Sequence, residues 1–436
     1  MKILILWPPQ VPSYFNAGHH LTVFTTAAYL RSLVSGVEVR AVDAGALNAT
    51  WKDIGDLLIQ QYDVLAVAND FDGIDTLSRL IYYARSLSPE MKIVTFGRLS
   101  NRIPEFFTRF DLDAVVAQGD PEVGVAVFVE ECQRGKLGAL PGVYVRSHNG
   151  NWQRPSPGGK IIPAEKLPLP DVREIPYDAY DRMYRNDLNK FCGIPERREL
   201  VVPVSRGCPI QCEFCDVPIR EGIGERRISV PRMLTYVEQC MRATSFDYVA
   251  MYAPTFTLRK PWVYELCRAL TDGDLKFKWK CTTTLSHLDE ELIQAMAAAG
   301  CVRISVGLET LESLAQELLP KHKQMETEAF ERVARWCEAA QVELNCFVIL
   351  GLPGTTLEGA RHTAERVEAV GGRLRPTIYT DYHKMQPDMD EEEIASFNRH
   401  LFRKGEEPPH AVDLYRIYFN SSGRVTQVME KIPKAF

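Results

Sequence analysis

Three cysteines with short, regular spacing are the residues of this chain best suited to chemistry. Cys208, Cys212 and Cys215 lie in the run SRGCPIQCEFC, directly after the apolar stretch VVPV. Three thiolates on one tight loop can bind three irons of a four-iron–four-sulfur cluster and leave the fourth iron open. Zinc is the alternative, but structural zinc prefers four ligands in two pairs, and the sequence has no second Cys pair near this loop. The spacing therefore favours a cluster, with these cysteines as metal ligands and catalytic residues.

Composition and charge limit the partners and the cellular compartment that the sequence predicts. The chain has 436 residues, a net charge of −6 and no long apolar run, so neither nucleic acid nor a membrane is predicted as a partner. The first residues lack the pattern of a secretion signal, which predicts a cytoplasmic protein. Eleven cysteines in a reducing compartment do not predict a disulfide framework. Single cysteines among apolar or helical neighbours are typical of small buried side chains, and these are Cys132, Cys240, Cys267, Cys301, Cys337 and Cys346.

The first element that can hold a ligand is an N-terminal α/β region. Residues 1–135 alternate short apolar, β-branched runs with helical patterns, which predicts a doubly wound, Rossmann-like parallel sheet. Ligands of such sheets bind at the carboxyl ends of the strands. The predicted strands are 2–7, 37–45, 63–70, 92–97 and 113–120.

A second α/β region carries the cysteines. A linker rich in Pro and Gly is predicted at 136–197, with a hairpin around Asn149-Gly150. Residues 198–385 then hold six strand–helix units, which predicts a partial (β/α)6 barrel, and residues 386–436 predict a short, mostly helical segment with a tail. The predicted strands are 199–207, 247–254, 277–284, 302–309, 342–351 and 375–380.

The cysteine loop resembles the signature of radical S-adenosylmethionine (radical SAM) enzymes, CxxxCxxC with an aromatic residue before the last Cys. The stretches AAAGCVRISVGLETLESLAQELLPK and FVILGLPGTTLEGARHT are similar to later strand–helix junctions of that family, so the resemblance covers roughly residues 199–380. It implies that the open iron binds the methionine end of S-adenosylmethionine. One-electron cleavage of that cofactor then gives a 5′-deoxyadenosyl radical.

The resemblance also implies which residues bind S-adenosylmethionine. For Glu309, capping the next helix or pairing with Arg303 are alternatives. At Ala253-Pro254 the chain departs from the acidic residues of many relatives, so backbone carbonyls or another residue must accept from the methionine ammonium. The implied contacts are Phe214, Leu350 and Gly351 for adenine, Tyr252, Ala253 and Pro254 for the amino group, and Thr283, Ser305 and Glu309 for ribose or carboxylate.

The N-terminal region resembles the cobalamin-binding subclass of this family, through WPP after the first strand, AAYLR in the first helix and QGDPE after the fifth strand. Arg98 departs from the usual double glycine, and no Asp-x-His-x-x-Gly occurs, so no histidine ligand to cobalt is expected. A domain that binds no corrin is the alternative. The implied corrin contacts are Pro9, Gln10, Asn69, Asp70, Phe71, Asp72, Gly97, Arg98, Gly119 and Asp120.

Together the two resemblances imply a cobalamin-dependent radical SAM methyltransferase for a small-molecule or carrier-bound substrate, with methylcobalamin as methyl donor and flavodoxin or ferredoxin as electron donor. The alternatives are non-methylating radical chemistry (cyclisation, ring contraction or rearrangement), polar methyl transfer without a 5′-deoxyadenosyl radical, and a non-catalytic corrin or cluster carrier. Tyr379, Tyr382 and His383 follow the last predicted strand and are expected to line the substrate pocket, with ordinary packing of the tyrosines as the alternative.

Overall fold

Two compact units make up the chain. The computed structural model describes residues 1–9, 20–71, 73–135, 137–184, 198–399 and 401–420. The first unit comprises Met1–Tyr180, Asp216–Gly222 and Asp381–Asn398, and the second comprises Asp181–Cys215, Ile223–Thr380 and Arg399–Phe436. The chain therefore leaves the second unit directly after the last cysteine of the loop, and again after Thr380. Within the described ranges, every helix is too short or too polar to cross a bilayer.

Seven strands form the sheet of the first unit: β1 (Lys2–Trp7), β2 (Glu38–Asp43), β3 (Val64–Asn69), β4 (Lys92–Gly97), β5 (Ala114–Val116), β6 (Val143–Arg146) and β7 (Trp152–Gln153). Their order is β2-β1-β3-β4-β5-β6-β7. β1 to β5 are parallel, which confirms the predicted sheet. β6 and β7 pair antiparallel around a turn with Gly150 at φ +85°, which confirms the predicted hairpin and joins it to the sheet edge.

Both faces of this sheet are buried. Leu4 and Leu6 of β1 belong to the core with the helices on one side, while Ile3 and Ile5, which alternate with them, are 0% exposed on the other. A parallel sheet covered on both faces needs apolar residues at successive positions, which explains the run KILILW. The helices are α1 (Leu21–Leu33), α2 (Trp51–Leu58), α3 (Ile74–Leu87), α4 (Arg98–Arg102), α5 (Pro104–Phe107), α6 (Pro121–Arg134), α7 (Tyr177–Tyr184), α8 (Val217–Glu221) and α15 (Glu391–Ala395).

The second unit is built on a six-stranded parallel sheet, as the sequence predicts. Its strands are β8 (Glu199–Pro203), β11 (Tyr248–Tyr252), β12 (Trp279–Thr284), β13 (Cys301–Glu309), β14 (Glu343–Leu350) and β15 (Arg373–Ile378), in that spatial order. A short antiparallel pair, β9 (Ser205–Arg206) and β10 (Arg226–Arg227), flanks the cysteine loop. The helices are α9 (Val230–Ala243), α10 (Lys260–Asp272), α11 (Glu290–Ala298), α12 (Ser313–Gln316), α13 (Thr327–Ala339), α14 (Leu357–Ala369) and α16 (Ala411–Asn420).

The two faces of the second sheet differ in chemistry. Neighbours in register point to the same side of a sheet, and successive residues point to opposite sides. Val306, Cys346 and Leu374 form one buried row, on the side that faces α14. The other side, here called the polar face, has three rows: Lys280, Arg303 and Glu343; then Thr282, Ser305, Asn345 and Arg373; then Thr284, Gly307, Phe347 and Arg375.

Candidate active site

The cysteine loop leaves β9 through two residues with left-handed backbone. Gly207 has φ +82° and Gln211 has φ +55°, and the Cys215 amide donates to the Cys212 carbonyl at 3.0 Å, which closes a tight turn. Cys208 and Cys212 are buried and Cys215 is half-buried. The three thiols therefore share one compact turn at the carboxyl side of the strand that starts the sheet.

Burial decides the protonation of the Cys212 thiol. Its pKa is raised to about 12, chiefly by burial, while Lys323 lowers it and Glu309 raises it. A coordinated metal reverses this, because it holds the sulfur as thiolate. No three His, Cys, Asp or Glu side chains in the described ranges converge as ligands of one ion. A four-iron cluster does not require that convergence, since each cysteine binds a different iron.

An ion pair lies beside these cysteines. Lys323 Nζ is 2.8 Å from Glu309 Oε1 and donates to the Gly307 carbonyl at 3.4 Å. Glu309 has φ +62° at a register shift in β13, so the strand end turns its carboxylate away from the regular ladder. Burial alone would lower the pKa of Lys323, but Glu309 outweighs it and the pKa is raised overall. The pair therefore presents a fixed positive and a fixed negative charge next to the loop.

The alternative in which Glu309 pairs with Arg303 is wrong. Arg303 is 0% exposed; its Nε donates to Glu343 Oε2 at 2.9 Å, and its Nη2 lies 2.9 Å from the same oxygen as an ion-pair contact. In-register strands place these two residues side by side on the polar face, two positions before Ser305. Arg303 therefore belongs to a closed ion pair inside the sheet.

The other strand-end residues separate onto two faces. Ser305 lies on the polar face, and its hydroxyl accepts from Asn345 Nδ2 at 3.1 Å. Thr283 lies on the opposite face, where its hydroxyl accepts from the Thr257 amide at 3.3 Å. Because side chains alternate along a strand, a ligand on the polar face meets Ser305 but not Thr283. Of the residues after β11, Ala253 is buried and Tyr252 is 44% exposed.

Of the residues expected near adenine, Phe214 lies in a small apolar cluster. Phe214 packs with Tyr379 against Leu319, Ile349 and Leu352. Beside them, Gly351 has φ +75°, and a Cβ there would lie 2.6 Å from the Phe402 ring, so only glycine fits. The carbonyl of Phe214 accepts a hydrogen bond from Arg399, which sequence reasoning did not find.

In the first unit, the polar groups at the end of β3 are used by the chain itself. Asn69 Oδ1 accepts from the amides of Leu99 and Ser100, both at 3.0 Å, and its Nδ2 donates to Thr95 at 2.9 Å. Gly97 has φ +143°, and a Cβ there would lie 2.3 Å from the Asn69 carbonyl. These residues join β3 to α4 at close range.

Arg98 is the centre of a larger cluster. Its Nε pairs with Asp216, its Nη2 donates to the Tyr382 hydroxyl at 2.9 Å, and its Nη1 is 3.6 Å from Asp70. The guanidinium also lies 4.8 Å from the Phe71 ring centroid. Burial alone would lower the pKa of Arg98, but Asp216, with smaller contributions from Tyr382 and Asp70, raises it overall. Arg98 thus ties the end of β4 to the two returning segments of this unit.

The remaining residues with implied corrin contacts divide between the end of β5 and the end of β1. Asp120 Oδ2 accepts from the Ile162 amide at 2.6 Å, and a Cβ on Gly119 would lie 2.4 Å from the Lys160 carbonyl. Both residues therefore hold the segment 159–162. Pro9 is buried after β1. The predicted contacts Gln10 and Asp72 lie outside the described residues.

The residues proposed for the substrate pocket fall in different units. Tyr379 belongs to the second unit, whereas Tyr382 and His383 belong to the first. Tyr382 is 3% exposed and stacks on Phe71 with ring centroids 5.6 Å apart, as an ordinary core tyrosine would. His383 is exposed.

A buried polar cluster at the ends of β1 and β2 was not found by sequence reasoning. His20 Nδ1 is 2.7 Å from Asp43, whose carboxylate also accepts from the Tyr180 hydroxyl, and the His20 ring stacks on Trp7 at 3.6 Å. Burial would raise the pKa of Asp43, but His20 and these hydrogen bonds lower it overall. His20 Nε2 and Trp7 Nε1 are buried without a hydrogen-bond partner in the described structure. Two unused nitrogens therefore lie at the edge where such sheets bind ligands.

Sequence reasoning also missed the charged groups of the second unit that lie far from the cysteines along the chain. Lys323 stands in the run KHK, and Arg373 stands in a strand that alternates basic and apolar residues, RLRPTI. A charge at every second position of a strand is the signal that could have identified the polar face.

Part of this chain is similar in sequence to known proteins. Residues 202–367 match the Radical SAM superfamily. An uncharacterized methyltransferase of Pyrococcus horikoshii is 25% identical over 338 residues, which cover 74% of this chain and 68% of that protein. The anaerobic magnesium-protoporphyrin IX monomethyl ester cyclase of Rubrivivax gelatinosus is 24% identical over 214 residues, 48% of this chain and 37% of that protein.

The fold is shared with a solved structure. TsrM, a radical S-adenosylmethionine methyltransferase from Kitasatospora setae whose structure holds cobalamin and a [4Fe-4S] cluster, matches 86% of this chain and 72% of its own with a TM-score of 0.68 and 16% identity. At that identity the likeness concerns the fold. The match over residues 202–367 therefore makes this part of the chain similar to the Radical SAM superfamily.

Proposed function

We propose that this chain is a cobalamin-dependent radical SAM methyltransferase that acts on a small-molecule or carrier-bound substrate. The observation that carries the proposal is the cysteine turn of Cys208, Cys212 and Cys215 beside the buried Glu309–Lys323 pair, within a radical SAM domain. A relative named as a methyltransferase, and the fold shared with a methyltransferase that binds cobalamin, support methyl transfer as the reaction.

Different residues of the second unit bind the cluster, the methionine end of S-adenosylmethionine and the adenine ring. The three cysteines hold the cluster, and Glu309 and Lys323 match the ammonium and carboxylate of the methionine end of S-adenosylmethionine. Charge-assisted hydrogen bonds of this kind fix orientation as well as supplying affinity. The flat apolar cluster of Phe214, Ile349 and Leu352 takes the adenine ring. When bound, the cluster and S-adenosylmethionine supply one-electron cleavage of a carbon–sulfur bond, and cobalamin carries the methyl group.

The first unit is proposed to hold the corrin at the carboxyl ends of β1, β3, β4 and β5. Support comes from its parallel doubly wound sheet and from the unpartnered nitrogens of Trp7 and His20 at that edge. A corrin rim carries amide groups, which both donate and accept hydrogen bonds. The enzyme is proposed to act in the cytoplasm and to receive its electron from a flavodoxin or ferredoxin.

A test of methyl transfer does not need the substrate. The anaerobic protein is reconstituted with iron, sulfide and cobalamin, reduced, and mixed with S-adenosylmethionine labelled in its methyl group. Label is expected in the corrin fraction of the full-length protein and not with cobalamin alone. Label that stays in S-adenosylmethionine or its methionine product, in protein that binds both cofactors, would contradict the proposal.

Non-methylating radical chemistry is the second candidate, and the resemblance to a ring-forming cyclase favours it. Ala253 and Pro254 also give β11 a strand end without a side-chain acceptor for the methionine ammonium. In this case 5′-deoxyadenosine forms without S-adenosylhomocysteine. Measuring the two products in one reaction separates the candidates.

A further inference from the structure

Arg373, on the polar face of the second unit, is buried without a partner. It starts β15 and is 2% exposed, and its Nε, Nη1 and Nη2 make no hydrogen bond in the described structure. A buried guanidinium without a counterion is costly, and native structures leave such groups only where something else satisfies them. Arg373 is therefore suited to bind an anion.

The neighbours of Arg373 point to the same conclusion. Asn345, beside it on β14, donates from Nδ2 to Ser305, but its buried Oδ1 accepts no hydrogen bond from the residues that the structure describes. Of the carboxylates on this face, Glu343 already pairs with Arg303, at 2.9 Å. The row of Ser305, Asn345 and Arg373 thus offers a hydroxyl, an amide and a guanidinium to one group.

The polar face continues from this row towards the cysteines. Lys323 donates to the Gly307 carbonyl, and Gly307 lies two residues after Ser305 on β13. A Cβ on Gly307 would lie 2.3 Å from Lys323 Nζ, so that ammonium covers the next row of the face. A ligand on Arg373 therefore lies on the same sheet face as the Glu309–Lys323 pair.

We propose that Arg373 binds an oxyanion group, a carboxylate or phosphate, of a ligand held on the polar face, with Ser305 and Asn345 as neighbouring hydrogen-bonding groups. A guanidinium matches the two oxygens of such a group with parallel hydrogen bonds. The inference rests on the proposed function in placing the reaction on this face. It implies that an anionic group of the substrate, or of S-adenosylmethionine itself, lies at Arg373.

The first test measures binding of inorganic phosphate to the anaerobically reconstituted full-length protein by calorimetry at constant ionic strength. Arg373→Met is expected to weaken phosphate binding at least about tenfold, because charge-assisted hydrogen bonds are lost. Arg335→Met, at an exposed position of α13, is the matched control and keeps the wild-type affinity. Equal affinity in wild type and Arg373→Met would overturn the proposal.

Stability of the ligand-free variants gives an independent readout. Arg373→Met should not lower the Tm, since it removes a buried unpaired charge, and a large fall in Tm would show a structural partner and refute the proposal. Asn345→Asp places a carboxylate beside Arg373 and should raise the Tm while it abolishes phosphate binding. Undiminished phosphate binding in Asn345→Asp would also refute it.

The source of the oxyanion follows from binding of S-adenosylmethionine by equilibrium dialysis. If Arg373→Met weakens that binding as much as phosphate binding, the group is the cofactor carboxylate, and if it leaves the cofactor affinity unchanged, the group belongs to the substrate. Phosphate binding does not depend on methyl transfer. Failure of the labelling experiment with an intact phosphate site would therefore reject the proposed function and keep this inference.

Discussion

The two units differ in how far the chain itself satisfies their buried basic residues. In the first unit, Asn69, Arg98 and Asp120 are bonded to the chain itself. In the second unit, Glu309 and Lys323 form a charged pair beside the thiols, and Arg373 makes no hydrogen bond to any described residue. The polar groups after β3, β4 and β5 of the first unit thus stabilise the fold, although the ring nitrogens of Trp7 and His20 make no hydrogen bond in the described structure. In the second unit a whole guanidinium makes none.

The returning segments explain the difference. Within the first unit, residues 159–162, 216–222 and 381–398 come back to the strand ends and satisfy the groups there. In the second unit, Arg373 and Asn345 Oδ1 receive no such bond in the described structure. A polar residue whose donors and acceptors are used by another part of the chain is therefore weaker evidence for a ligand contact than one that makes no hydrogen bond in the described structure.

The largest expected effect concerns the cysteine turn. Cys212→Ala removes one of three cluster ligands, so the anaerobically reconstituted protein should lose its iron–sulfur absorption and all cleavage of S-adenosylmethionine. Cys132→Ala, at a half-buried cysteine of the first unit, should keep both. Full absorption in Cys212→Ala would show that this cysteine is not a ligand.

Arg98→Met tests the first unit. The substitution leaves Asp216 and Asp70 without their cation, and the free energy of unfolding should fall by about 3 kcal/mol in urea. Arg134→Met removes only exposed ion pairs and should cost less than about 1 kcal/mol. If Arg98→Met lowers the free energy of unfolding as little as the control does, the fold does not need Arg98. That result would favour the earlier expectation that Arg98 contacts the corrin.

Glu309→Gln tests the second unit. It keeps the shape of the side chain but removes the charge that Lys323 and a bound ammonium share, so S-adenosylmethionine should bind about tenfold more weakly. Iron content should not change. Glu317→Gln, at an exposed position nearby, is the control. An unchanged dissociation constant in anaerobic dialysis would place the cofactor ammonium elsewhere.

The last prediction concerns the buried cluster of His20, Asp43 and Tyr180 in the first unit. Asp43 has a folded-state pKa below its usual value of 3.8, so its charged form stabilises the fold above that pH and the contribution disappears as the pH falls through the lowered pKa. Asp43→Asn should cost about 2 kcal/mol at neutral pH and progressively less in acid. Urea unfolding across this pH range measures it, and a cost that does not change with pH would exclude the charge as the cause.

Much of the architecture could be predicted from the sequence, because strand periodicity and turn residues are local signals. The five parallel strands, the hairpin near Gly150 and the six-stranded sheet were all predicted and are confirmed. Pairing of Glu309 could not be predicted, because Lys323 approaches it through a turn of the chain rather than a motif. The expected alternative, Arg303, lies closer in sequence but is taken by Glu343.

The sequence by itself determined the cysteine turn and both α/β patterns, because ligand spacing and hydrophobic period are written in neighbouring residues. Only the tertiary structure decided which charges are already satisfied. Arg98, directly after β4, and Arg373, at the start of β15, look alike in the sequence as basic residues next to apolar strands, yet one pairs with Asp216 and the other makes no hydrogen bond in the described structure. That difference depends on segments distant in sequence, since the partner of a buried charge is whichever group the fold brings next to it.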